Sequence, residues 1–114
     1  MVAIFQLGGA VGRVGKEDTA FYHRDAGYHF FIGSLWEHPA DDEKNLSWAR
    51  DTWAAMLPHS ANGVYVNEMG DELESLDRIA EAYGPKTYER LVALKNKYDP
   101  TNLFRLNPNI KPTV

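Results

Sequence analysis

The sequence predicts an α+β fold: an antiparallel β-sheet with helices packed on one face, then a C-terminal helix and an extended tail. Three observations predict it. Aromatic and β-branched residues cluster in short runs at 3–7, 28–36 and 64–69. Apolar residues recur at steps of three and four through three longer segments. The order strand, strand, helix, strand, helix, helix matches a sheet whose helices are segregated to one side.

The first run, 3–7, stops at Gly8-Gly9, as a buried strand ending in a turn or bulge does. Residues 12–18 are polar and carry glycines, which predicts a loop. In 28–36 both alternating faces are largely apolar, which predicts a central strand covered on both sides. Pro39-Ala-Asp-Asp-Glu opens a helix, with an aspartate available as N-cap and acids in its first turn. Leu46, Ala49, Trp53 and Met56 give that helix one buried stripe, and Pro58 and Asn62-Gly63 end it. Residues 64–69 alternate as a strand does. A second helix starts at Asp71, with Leu73, Leu76, Ala80 and Tyr83 on one face and Gly84-Pro85 as its stop. The last helix carries Tyr88, Leu91, Leu94 and Tyr98, and Asp99-Pro100 breaks it because a residue before proline is pushed out of the helical region. The chain reads as a single domain, with a soft internal boundary dividing residues 1–84 from 85–114.

Bulk properties narrow the chemistry. A chain of 114 residues has room for one modest core. Its net charge of −4 argues against nucleic-acid binding, which calls for a basic face. The absence of cysteine excludes disulfides, thiolate metal sites and cysteine nucleophiles. No apolar run reaches the roughly 20 residues of a membrane span, and the amino end lacks a signal-peptide pattern. The expectation is a soluble, cytoplasmic protein with no membrane and no nucleic-acid partner.

Several motifs carry possible chemistry. The glycines at 8, 9, 12 and 15 fit neither the dinucleotide nor the P-loop spacing, so flexible turns are the better account. The four histidines lack the i, i+4 spacing of a helical metal site, and His29, set in an aromatic strand, reads as a hydrogen-bonded core residue. His23, beside Arg24 and Asp25, either lines a cleft or belongs to a strand-edge ion pair. Tyr65 and Asn67 share one face if 64–69 is a strand. There they supply a proton acceptor and a fixed hydrogen-bond partner for a substrate hydroxyl, or simply form a partly exposed face. In the tail, Asn102, Asn107 and Asn109 stand among Leu103, Phe104, Leu106 and Ile110. Such amides need partners when buried, either backbone groups of a turn or the polar edge of a bound ring system.

The motifs Tyr88-Glu-Arg-Leu91, Lys97-Tyr-Asp-Pro-Thr-Asn-Leu-Phe-Arg-Leu-Asn107 and Asn109-Ile110 resemble the closing signature of the berberine-bridge-enzyme-like FAD-linked oxidases. Leu7-Gly-Gly-Ala10, Thr19-Ala-Phe-Tyr-His-Arg24 and Gly63-Val-Tyr-Val-Asn67 resemble successive segments of that family's substrate domain. The resemblance implies oxidation of an alcohol, sugar or secondary-metabolite substrate by hydride transfer to FAD. It implies Tyr65 as proton acceptor, Asn67 as an orienting amide, His23 as a cleft residue, and Asn107 and Asn109 as cofactor-side amides. Departures stand out: Tyr22 replaces a proline, Pro108 a glutamine and Glu68 an aromatic, and no acid precedes Gly8-Gly9.

The family's FAD domain lies N-terminal to the matching region, so the expectation is a C-terminal portion of an oxidoreductase. Its partner would be the N-terminal FAD-binding domain or a self-associated copy, and on its own the chain is not expected to hold FAD tightly. The competing expectation is a non-catalytic α+β interaction domain that self-associates.

Overall fold

The computed structural model describes residues 1–61, 63–69 and 76–114. Its sheet has two antiparallel strands, β1 (Val2–Gln6) and β2 (Tyr28–Ile32), paired from Val2 opposite Ile32 to Gln6 opposite Tyr28. The ladder continues at both ends, through Leu7 N–H to Gly27 O at 2.9 Å and Gly33 N–H to Met1 O at 3.0 Å. Side chains alternate across a pleated pair, so Phe5 and His29, directly opposite each other, stand on one face. Their rings stack with centroids 5.7 Å apart.

Between the strands the chain makes a long excursion that begins with the short helix α1 (Ala10–Arg13). Arg24 organises it. One guanidinium nitrogen donates to Val11 O at 3.1 Å and another to Thr19 Oγ1 at 2.5 Å. Lys16 and Asp25 pair at 2.7 Å across the same loop. The loop predicted for 12–18 therefore starts inside a turn of helix. Asp25 meets a lysine from elsewhere in the excursion rather than its neighbours His23 or Arg24.

A 3₁₀ turn (Pro39–Asp41) leads into α2 (Asp42–Met56), and a second (Leu57–His59) closes it at Pro58. Asp41 occupies the N-cap without a capping bond. Asn45 instead donates to Asp41 O at 2.8 Å and accepts from Ser34 Oγ at 2.8 Å, which ties the first turn of α2 to the exit of β2. Two expectations change here. The stripe of α2 is not buried: Trp53 is 40% exposed and Leu46 is exposed as well. β2 pairs only with β1, so it is not a central strand among the described residues, and its side chains are half-buried at most.

Residues 64–69, predicted as a third strand, do not join the sheet. Tyr65 is extended and Val66–Glu68 forms a 3₁₀ turn, closed by Glu68 N–H to Tyr65 O at 3.0 Å. The predicted helix start at Asp71 and Leu73, and the predicted stop at Asn62, lie outside the described residues. α3 (Leu76–Tyr83) and α4 (Pro85–Tyr98) follow, separated by Gly84 alone. The best-covered side chains cluster at this joint: Ile79, 2% exposed, with Ala82 and Thr87. Gly84 has φ 73°, ψ 155°, a conformation essentially reserved for glycine. The reversal between α3 and α4 depends on it. Two contacts fasten the excursion onto α4: Lys86 pairs with Glu17 at 2.9 Å and Arg90 donates to Glu17 O at 3.0 Å. No helix among the described residues is long and apolar enough to cross a membrane.

Candidate active-site cleft

An open cleft of about 210 Å³ forms where three segments meet. The excursion contributes Ala20, Phe21 and His23, the turn contributes Tyr65, Val66 and Asn67, and α3 contributes Ala82 and Tyr83. Tyr65, Asn67 and His23, singled out in the sequence, are thus brought together. The polar centre is one hydrogen bond: Asn67 Nδ2 donates to Tyr65 Oη at 2.8 Å. With the amide on one lone pair, the phenol hydrogen must point to another partner, and the cleft is the open direction. Aromatic edges fix the Tyr65 ring, Phe21 at 5.5 Å and His29 at 5.8 Å, both nearly perpendicular to it. Such edge-to-face pairs orient a ring more firmly than burial alone does.

His23 packs so closely on Gly63 that a Cβ there would lie 2.7 Å from the imidazole. Its Nε2 is buried and has no hydrogen-bond partner among the described residues. Burial lowers the His23 pKa below 6.5, partly opposed by the Asp25 carboxylate, so the ring is held towards its neutral form. Burial likewise raises the Tyr83 phenol above its ordinary value. Phe21 and Tyr83 were not singled out from sequence. Phe21 lay unremarked inside the Thr19–Arg24 motif, and Tyr83 read simply as helix core.

The tail builds a second, separate concavity. Asp99 ends α4 and accepts from the N–H groups of Leu103 at 2.7 Å and Phe104 at 3.1 Å. Lys95 pairs with Asp99 and also donates to Phe104 O at 2.7 Å. Asn102 takes φ 54°, a left-handed conformation that asparagine tolerates. Further on, Asn96 fastens the chain end in both directions, donating to Thr113 Oγ1 at 2.9 Å and accepting from Thr113 N–H at 2.8 Å. Between the two anchors the tail and the α4 residues Leu91 and Lys95 line an open concavity of about 410 Å³, to which Asn107 and Asn109 also contribute. Asn109 Oδ1 is buried without a partner among the described residues and Asn107 is exposed. The two concavities have no lining residue in common, so these amides do not join the Tyr65 cleft.

Residues 64–111 match the family model described as Berberine and berberine like. The chain is 36% identical over 106 residues to the FAD-linked oxidoreductase YgaK of Bacillus subtilis (strain 168), covering 93% of this chain and 23% of that protein. It is 31% identical to a chitooligosaccharide oxidase of Gibberella zeae, covering 90% of this chain and 22% of that protein. A solved chitooligosaccharide oxidase superposes with a TM-score of 0.67 at 29% identity, over 99% of this chain and 25% of that one. The chain therefore spans about a quarter of the length of the relatives it matches. In sequence and in fold, the chain matches the berberine-bridge-enzyme-like FAD-linked oxidoreductases, with residues 64–111 lying on the family's own model.

Proposed function

We propose that these residues form the substrate-side part of an FAD-dependent oxidoreductase acting on an alcohol, a sugar or a hydroxylated secondary metabolite. The observation that carries this reading is the Asn67–Tyr65 hydrogen bond at the mouth of an open, aromatic-walled cleft. FAD, when bound, supplies the two-electron acceptor that no side chain provides. Once its own phenol proton has been released, Tyr65 Oη would take the proton of the substrate hydroxyl, and the Asn67 amide that donates to Tyr65 Oη would stabilise the phenolate beforehand. His23, held towards its neutral form, lines the cleft beside them. Phe21 and Tyr83 supply flat apolar walls against which a sugar or aromatic ring lies.

Asn107 and Asn109, in the separate concavity of the tail, are the amides that would face a flavin held by the adjoining domain. Asn109 Oδ1 is a buried acceptor without a donor among the described residues, and an N–H of a bound ring system would satisfy it. Asn107, exposed on the same concavity, would add an amide donor for such a ring. Contacts of this kind position a cofactor more than they hold it, so FAD binding by these residues alone is weak, and the flavin-binding domain is the partner. In flavin-loaded protein containing this chain, Tyr65→Phe slows anaerobic flavin reduction by about 10²–10⁴-fold, the range of a lost proton acceptor. Unchanged reduction kinetics remove Tyr65 from the chemistry.

A second reading, a non-catalytic domain that self-associates, draws on the apolar side chains left uncovered. Leu106 is 97% exposed and Ile4 64%. Surfaces of this kind ask for protein cover. Sedimentation with and without FAD separates the two readings: a stable dimer indifferent to flavin favours the second.

A further inference from the structure

We propose that Glu68 is a positioning residue for the Tyr65–Asn67 pair, acting through His29. This rests on the reading of Tyr65 as proton acceptor. Glu68 Oε2 lies 2.9 Å from His29 Nε2, with the two side chains 33% and 23% exposed. His29 is itself immobilised, stacked on Phe5 across the β1–β2 ladder. The same imidazole presses against the Tyr65 ring at 5.8 Å, the planes 83° apart. Glu68 also donates its backbone N–H to Tyr65 O. Tyr65, His29 and Glu68 thus close a ring of contacts, and Asn67 sits inside it, one residue before the carboxylate.

The need for such a tether is physical. The turn Val66–Glu68 is three residues long and is closed by Glu68 N–H to Tyr65 O at 3.0 Å and Met69 N–H to Val66 O at 3.4 Å. A single 3₁₀ turn has poor hydrogen-bond geometry and does not hold its own shape. The turn does not pair with the sheet through its backbone, so the Glu68–His29 contact is its side-chain link to a strand. A bond to a partly buried partner is stronger and more directional than one in open water. It sets where the turn sits, and therefore where the Asn67 amide meets Tyr65 Oη.

The test reads that bond directly, by the side-chain amide resonances of Asn67 in a ¹H–¹⁵N spectrum of the ¹⁵N-labelled chain. Tyr65→Phe supplies the reference position for a broken bond. Glu68→Ala should move the Asn67 pair most of the way to that reference, while Glu68→Gln, whose amide oxygen still accepts from His29, should leave it near the wild-type position. The Asn96 amide pair, bonded to Thr113 far from the turn, reports whether each variant is folded. If Glu68→Ala unfolds the chain, Glu68→Gln and the wild-type proton–proton contacts between the His29 and Tyr65 rings decide. An unmoved Asn67 pair in folded Glu68→Ala overturns the proposal. So does a shift in Glu68→Gln as large as that in Tyr65→Phe, or the absence of His29–Tyr65 ring contacts. None of these readings needs turnover, so a failure of the Tyr65 chemistry, seen as unchanged flavin reduction in Tyr65→Phe, stays distinct from a failure of the tether.

Discussion

The ring of Tyr22 lies across the backbone of Gly84, so near that a Cβ on the glycine would meet the ring carbons at 2.4 Å. The contact locks the excursion between the strands onto the joint between α3 and α4, the best-covered part of the structure. Gly84→Ala is expected to cost about 2–5 kcal/mol, the sum of a forbidden backbone region and an overpacked contact. Urea unfolding checks it, and a cost below about 1 kcal/mol contradicts it. Adding Tyr22→Ala should recover the steric part and leave the backbone part.

Asp99 gives a prediction with a defined sign. The Lys95 ammonium, and then the Leu103 and Phe104 N–H groups, hold its carboxyl below the ordinary 3.8, against the burial that raises it. A carboxylate whose folded pKa is depressed stabilises the fold fully above its unfolded pKa and loses that contribution as pH falls through the folded value. Wild type should therefore weaken as pH drops below 3.8, and Asp99→Asn should lack that part of the loss while being less stable at pH 7. Parallel urea titrations at several pH values measure the difference.

His23 titrates in a higher window. Its pKa is lowered by burial, so the unfolded chain takes up a proton before the folded one does. Stability contributed at this site is intact above 6.5 and falls as pH drops through the depressed folded value. His23→Gln should flatten that part of the profile. An unchanged slope would mean the imidazole is not desolvated.

The clasp between Asn96 and Thr113 predicts a local effect. Asn96→Ala removes two hydrogen bonds that are partly open to water, at about 1 kcal/mol in all. The Thr113 amide should then exchange its hydrogen freely, and the tail should become the first site of proteolysis while the Tyr65 cleft is unchanged. Retained protection at Thr113 would show that the tail is held elsewhere.

These features differ in how far the sequence revealed them. The positions of the two strands, the helices α2 and α4 and their stops at Pro58 and Asp99-Pro100 were legible because local chemistry dictates them, whereas α1 gave no signal and β1, read as buried, is largely exposed. The alternation of Val64, Val66 and their neighbours pointed to a strand, but Glu68 N–H turns back onto Tyr65 O and makes a turn instead. Tyr65 and Asn67 meet all the same, because one tight turn brings residues two apart at least as near as a strand does. The stripe of Leu46 and Trp53 shows a different limit: periodicity says that a face is to be covered, not by what. The pairing of His29 with Glu68 left no spacing signal, since each comes from a different segment and meets only in the fold. Sequence could say only that His29 wanted a hydrogen-bond partner.

The Asp99 carboxylate spends both oxygens on the backbone that follows it and on Lys95. Asp99-Pro-Thr-Asn102 thus fixes the reversal of the chain after α4. None of these bonds involves Tyr65 or Asn67. Asp-Pro-Thr-Asn therefore reports how the tail is folded, not whether the Tyr65 cleft works. For that, the turn holding Tyr65, Asn67 and Glu68 is the place to look.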